Sequence, residues 1–260
     1  MDLKLSGRTA LVTGSSKGIG LSIAQWFARE GVNVCMVARS GDQLEKEGAA
    51  IGKATGVTVR TMAADLSDAS ARERVFRAFP DVDILINNAG AIPGGSLHDV
   101  DEASWRAGWD LKVYGYVGLT RHYLAMMQER RRGVIVNVIG LGGERLDATY
   151  IAGAVGNAGL MAFTRAIGGK STQFGVRVVG VNPGPVLTDR VEVLGRKRAK
   201  AQHGDENRWQ ESFAKMPYGR PASCDEIAAT VIFLASDLSS YTSGTIVTID
   251  GGIAHSGGMP

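Results

Sequence analysis

Cysteine is scarce in this chain, with two in 260 residues. Two thiols cannot build a disulfide framework, so a small stapled secreted fold is excluded. Cys35 lies in the apolar run Val32–Val37, and Cys224 opens a predicted helix. Both are expected as free thiols in a reducing compartment. Long apolar runs are missing too. No stretch approaches the roughly 18 consecutive apolar residues of a membrane span. The opening Met1-Asp2-Leu3-Lys4-Leu5 lacks the apolar core of a secretion signal. A soluble cytoplasmic protein with no membrane partner is the expectation. Charge of one sign is lacking as well: 29 Lys and Arg against 26 Asp and Glu leave +3. So small an excess is no nucleic-acid signature. His98 and His203 have no Cys or carboxylate partners at ligand spacing, so no metal is expected.

Glycine is what the chain has in excess. It makes up 35 of 260 residues, spread along the length rather than gathered in a linker. That distribution implies many tight turns and close backbone approaches. Short apolar runs alternate with amphipathic stretches. Strands are expected at 9–13, 32–38, 57–63, 82–86, 134–139, 176–181 and 245–249. Helices are expected over 18–30, 42–54, 69–79, 102–131 and 225–235, with 158–174 inside a further one. Continuous apolar strands separated by helices imply a parallel sheet covered on both faces. The fold class is therefore α/β: a single-domain, Rossmann-type, doubly wound parallel sheet of about seven strands spanning 1–260. The polar stretch around 186–217 breaks the rhythm and is expected to form a substrate lid. Its cations Arg190, Arg196, Lys197, Arg198 and Lys200 could attract an acidic substrate, though a solvated helix face explains them more simply. Trp209, Phe213 and Met216 are spaced to pack that segment.

The first strand ends in Thr13-Gly14-Ser15-Ser16-Lys17-Gly18-Ile19-Gly20 and enters a helix. Glycines let backbone approach a pyrophosphate, and the helix N-terminus offers free N–H groups and a positive dipole end. The pattern T-G-x-x-x-G-x-G resembles the cofactor turn of the short-chain dehydrogenase/reductase family. Asp65-Leu66, Asn87-Asn88-Ala89-Gly90, and Asn182-Pro183-Gly184-Pro185-Val186 with Thr188 are similar to the family's adenine, strand-four and nicotinamide positions. Gly219-Arg220-Pro221, Glu226-Ile227-Ala228, Phe233-Leu234-Ala235-Ser236 and Asp250-Gly251-Gly252 resemble its C-terminal signature. The resemblance covers essentially the whole chain, in order. It implies a nicotinamide cofactor held by Gly14, Ser16, Lys17, Gly18, Ile19, Gly20, Asp65, Leu66, Asn88, Ala89, Gly90, Pro183, Gly184, Val186 and Thr188. It also implies a small-molecule substrate and a homo-oligomer, a dimer or tetramer packed through the two long helices and the last strand. NAD usually meets a carboxylate at the end of strand two. Here that end is Val37-Ala38-Arg39-Ser40. Arg39, helped by Lys17, suits a 2′-phosphate, so NADP(H) is expected to be preferred, with NAD(H) still possible.

The resemblance breaks where the family carries its chemistry. The family places a Ser after strand five, a Tyr-x-x-x-Lys on the next helix and an Asn in the long helix. Aligning Gly133–Val138 upstream and Asn157–Arg165 downstream puts those positions at Gly140, Gly153, Asn157 and Lys112. All four family residues are replaced. An alternative register makes Tyr150 the family tyrosine, but it needs a three-residue shift and leaves Ala154 at the lysine position. Two readings follow. One is an active NADP(H)-dependent oxidoreductase of a small carbonyl or alcohol, with Tyr150 and Lys112 as non-standard proton-handling groups. The other is a nucleotide-binding sensor or scaffold without hydride chemistry. Glu144 and Arg145 could touch substrate, but a solvated loop pair is the simpler expectation.

Overall fold

The computed structural model describes residues 2–256, apart from the side chains at 190, 194, 197 and 198. Seven strands are joined by helices: β1 (Thr9–Thr13), α1 (Gly18–Arg29), β2 (Asn33–Ala38), α2 (Gly41–Thr55), β3 (Val59–Ala63), α3 (Ala69–Ala78), β4 (Ile84–Asn87), α4 (Glu102–Glu129), β5 (Gly133–Val138), α5 (Ile151–Ser171), β6 (Val176–Pro183), α6 (Asp189–His203), α7 (Cys224–Ala235) and β7 (Ile246–Ile249). They form one parallel sheet in the order β3-β2-β1-β4-β5-β6-β7.

Side-chain alternation explains why the strands are apolar throughout. Ala10, Val12, Val34, Met36, Ile84, Ile86, Val134 and Val136 face α1, α2 and α7 through Ile23, Phe27, Leu44 and Ile227. Leu11, Cys35, Val37, Leu85 and Ile135 face α3 and α4 through Val75, Leu119, Tyr123 and Met127. Neither face of the central strands meets water, so period-two polarity never shows in the sequence. Chain direction across the sheet reverses between β1 and β4. Ligands of open α/β sheets bind in the crevice at the strands' carboxyl ends there.

Two regions are given bounds that the sequence reading left open. Helix α5 starts at Ile151, seven residues before the predicted segment. Gly153, Gly156 and Gly159 lower its intrinsic propensity, but packing against α4 overrides that. Trp109 Nε1 donates to the Ala152 carbonyl at 3.0 Å. The polar stretch 186–217, expected as a lid, is largely helical. It holds α6 and a 3₁₀ helix, Glu206–Phe213. Trp209 and Phe213 pack with Ala199, Val191 and Met216 rather than on the main sheet, and Arg196 lies 5.5 Å from the Trp209 ring centre. The side chains of Arg190, Lys197 and Arg198 lie outside the described set, so the cationic face expected there is not described.

The sheet's far edge is fastened by a buried cation. Arg177 on β6 donates to the carbonyls of Leu234 (2.8 Å), Thr242 (3.2 Å) and Ser236 (3.0 Å). Burial pushes its pKa down from the usual guanidinium value. Arg177→Met removes the donors and leaves three carbonyls to find water. The expected cost is about 3 kcal/mol, read as a lowered urea midpoint. A loss under about 0.5 kcal/mol would show that water replaces the guanidinium freely.

Candidate active site

The cofactor half of the site is built at the β1/β4 crevice. Thr13 Oγ1 donates to the Ile86 carbonyl (3.1 Å) and accepts from the backbone N–H groups of Asn88 (2.9 Å) and Ala89 (3.0 Å). The Asn88 amide donates to the carbonyls of Thr13 (2.9 Å) and Gly14 (3.3 Å). The two loops are thus locked together. Gly14 has φ +65° and Gly18 has φ +58°, conformations that exclude most side chains. At Gly20 a Cβ would lie 2.3 Å from the Gly14 carbonyl oxygen and 2.5 Å from Asn88 Nδ2. The turn can therefore be built only from glycine at this point. It ends at Lys17, which gives α1 no side-chain cap and leaves its first N–H groups to a ligand.

Of the other expected cofactor residues, Thr188 meets this turn directly. A Cβ at Gly18 would meet Thr188 Cγ2 at 3.5 Å, so the turn after β6 closes over the glycine turn. Thr188 also caps α6, accepting from the Val191 N–H. Val186 forms a bridge with Ala222, and Gly184 N–H donates to Ile249. Pro183 ends β6, and Ser16 and Leu66 are buried. Arg39 and Lys17 are exposed. Arg39 follows β2 and helps hold the Asp65 carboxyl below its usual range, after the larger effect of the Ser67 backbone and hydroxyl donors.

The residues expected to handle protons lie around the carboxyl end of β5. Lys112 is only partly buried as a residue, but its ammonium is enclosed and donates to the Ile139 carbonyl. Desolvation pulls its pKa down to about 8. It is therefore not the surface lysine that a helix position allows. The Lys112 stem also fills the space beside Gly90, where a Cβ would meet its Cδ at 2.8 Å. Gly140 has φ +131°, which a serine there would adopt only under strain. Its missing Cβ would lie 3.4 Å from Asn157 Nδ2 and 4.0 Å from Lys112 Nζ. Tyr150 precedes α5 directly, and its ring folds forward onto the helix. A Cβ at Gly153 would sit 2.0 Å from Tyr150 Cζ and 2.5 Å from its hydroxyl oxygen. The phenol thus occupies the room that a side chain at 153 would need. The structure brings Lys112, Gly140, Asn157, Gly153 and Tyr150 into one wall.

Glu144 departs from the expectation of a solvated pair with Arg145. Its Oε2 accepts from Asn182 Nδ2 (3.2 Å) and Thr248 Oγ1 (2.6 Å). Asn182 Oδ1 in turn accepts from the Gly140 N–H at 3.4 Å. Glu144 therefore links the ends of β5, β6 and β7 behind Gly140. No local sequence signal marks this, because its partners lie 38 and 104 residues away. Beneath the site, Asn87 Nδ2 donates to Thr120 Oγ1 and Asn137 Oδ1, and Asn137 Nδ2 to Thr164 Oγ1. These buried amides stiffen the strand ends. Among the described residues no group of three His, Cys, Asp or Glu could hold a metal. No described helix is long and apolar enough to cross a membrane.

A doubly wound parallel sheet with a glycine turn locked at its switch point defines a dinucleotide-binding α/β protein. The comparisons narrow the class. A family model described as enoyl-(acyl carrier protein) reductase matches residues 14–254. The chain is 35% identical to oxidoreductase UcpA of Salmonella typhimurium over 254 residues, covering 96% of this chain and 95% of that one. It superposes on L-sorbose reductase from Gluconobacter frateurii, solved with NADPH and L-sorbose, with a TM-score of 0.92 and 30% identity. That match covers 98% of this chain and all of the other. A structure titled short chain dehydrogenase/reductase family protein matches at 34% identity and a TM-score of 0.83, covering 96% of this chain and 98% of that one. The chain belongs to the short-chain dehydrogenase/reductase family, and it is an oxidoreductase of that type.

Proposed function

We propose that the protein interconverts a small carbonyl compound and its alcohol with NADP(H), using Lys112 and Tyr150 in place of the family's usual proton-handling groups. One observation carries this reading. A desolvated ammonium with a pKa near 8 stands beside Gly140, on the wall where Tyr150 fills the place of a side chain at 153. An acid titrating near the working pH is well matched to proton transfer.

The glycine cradle fits a dinucleotide, since a Cβ at Gly14 or Gly20 would collide with the Asn88 loop. Gly14, Ser16, Gly18, Ile19 and Gly20 would receive the pyrophosphate, with Asp65, Leu66, Asn88, Ala89 and Gly90 along the adenosine side. Pro183, Gly184, Val186 and Thr188 would bound the nicotinamide. When bound, the cofactor supplies or accepts a hydride. In the reductive direction a hydride from the bound cofactor would add to the carbonyl carbon, and the π pair would move to the substrate oxygen. Lys112 Nζ gives that oxygen a proton and regains one from water. The Tyr150 hydroxyl is the one O–H group among the wall residues Lys112, Gly140, Gly153, Asn157 and Tyr150. The segment 186–217 is assigned as a lid over the substrate, and a cytoplasmic homo-oligomer completes the reading.

Arg39 and Lys17 set the cofactor preference, because no acid stands at the end of β2 to accept a ribose 2′-OH. Calorimetric titration with NADPH and then NADH tests this. NADPH is expected to bind at least tenfold more tightly, and Arg39→Ala is expected to erase most of the difference. Equal affinities for the two cofactors would refute the assignment.

A further inference from the structure

The wall beside Gly140 holds one polar side chain that the preceding mechanism does not use. Asn157 is 2% exposed. Among the described residues its amide makes no hydrogen bond, and its Oδ1 is buried without a donor. Burying an unpaired amide is costly. Asn157 lies inside α5, and the donor end of its amide, Nδ2, approaches the carboxyl end of β5 at Gly140. The direction of the amide is fixed by two glycines. Its Nδ2 lies 3.4 Å from where a Cβ would stand at Gly140 and 3.4 Å from the equivalent point at Gly142. Any larger residue at either place would fill the space in front of the amide nitrogen. Lys112 Nζ approaches the same Gly140 point, from α4, at 4.0 Å. Two N–H donors on different helices thus converge on the point in front of Gly140, while at Gly142 the Tyr150 ring already stands 3.1 Å from where a Cβ would be.

We propose that Asn157 is a catalytic residue whose amide nitrogen, paired with Lys112, binds the substrate oxygen and stabilises the negative charge that develops on it. The inference rests on the carbonyl-reductase reading above and assigns its oxygen-binding site. As hydride adds to carbon and the π pair moves to oxygen, Asn157 donates a neutral N–H bond. Lys112 donates the proton. Asn157 neither gains nor loses one. Fixed donors aimed at a forming oxyanion need no reorganisation during the reaction, which is why they stabilise it strongly.

The test needs one measurement on the unaltered chain and one on an isosteric variant. With NADP+ bound, trifluoroethanol serves as a probe alcohol whose electron-withdrawing CF3 group makes its hydroxyl easier to deprotonate than that of an ordinary alcohol. The side-chain amide signals of 15N-labelled Asn157 are expected to move downfield when it is added. Trifluoroethanol that binds, as seen by its 19F signal, without moving those signals overturns the proposal. For the variant, NADPH oxidation is followed with a panel of short-chain ketones and ketoses. Asn157→Asp is expected to lower kcat about 100- to 1000-fold, with KM changed far less and NADPH affinity held within twofold. The carboxylate would also hold the Lys112 proton more firmly, so the falling limb of the rate profile moves to higher pH. Full activity in Asn157→Asp alongside an inactive Lys112→Met overturns this assignment and leaves the reading beneath it standing. Full activity in both variants, or no oxidation of NADPH by the unaltered chain, overturns both.

Discussion

Lys112→Met is expected to lower kcat by about a hundred- to ten-thousand-fold, the range for loss of a positioned general acid. NADPH affinity should change far less, because Lys112 touches none of the glycine-turn hydrogen bonds and methionine keeps an apolar stem beside Gly90. The same variant is expected to be more stable than the unaltered protein at neutral pH. Burial lowers the Lys112 pKa from 10.5 to about 8. Below pH 8 the folded protein therefore carries an ammonium that the unfolded chain would hold more comfortably. Between pH 8 and 10.5 the unfolded state binds the extra proton, so stability of the unaltered protein rises through that window. The shift sets a ceiling of about 3 kcal/mol on the penalty relieved by methionine. Exposure of the lysine stem and loss of the bond to the Ile139 carbonyl reduce it. Urea unfolding at pH 7 and pH 10.5 checks the sign: the variant's advantage should be present at the first and gone at the second. A variant that loses stability at pH 7 would mean that the ammonium's bond outweighs its desolvation. Unchanged turnover would remove Lys112 from the chemistry altogether.

Restoring the family residues one by one is expected to harm the protein rather than improve it. Gly153→Tyr places a Cβ 2.0 Å from the Tyr150 ring, and overpacking of this kind costs about 1–3 kcal/mol. Gly140→Ser forces a side chain onto φ +131°, a strain of about 1–3 kcal/mol. Together they consume a large share of the roughly 5–15 kcal/mol that holds a typical domain folded. Removing the obstruction in Tyr150→Ala/Gly153→Tyr should recover most of the first loss. Thermal unfolding of the single and double variants separates these contributions. If Gly153→Tyr alone is as stable as the unaltered chain, Tyr150 swings aside easily and does not belong to a fixed wall.

The strands were legible because each is a short apolar run ending in a turn signal, and the glycine turn because its residues are contiguous. Less was legible where structure depends on what packs against a segment. The glycines of α5 argue against helix locally, and its first turns are held by packing on α4, with the Trp109 bond, and on the turn at Leu141–Gly143. The ring of Tyr150 over Gly153 could not be read either, since a residue outside the helix reaches forward onto it. Lys112 has the same letter whether its ammonium faces water or the Ile139 carbonyl. Glu144 found its partners across three strand ends, which no local pattern records. The candidate residues were therefore named by counting, while their relations came from the fold.

The Asn88 clamp on the glycine turn has a consequence for how such a protein can change. Every hydrogen bond described within that clamp joins β1 and its turn to the loop after β4. None of these bonds involves Gly140, Tyr150, Gly153 or Asn157. Under the proposed function, nucleotide holding therefore rests on bonds that the β5–α5 residues do not share, and the Lys112 stem beside Gly90 is where the two parts touch. Mutational drift along the β5–α5 wall can explore new reactions while the nucleotide stays gripped, so the chain has a means of acquiring chemistry without first losing its cosubstrate.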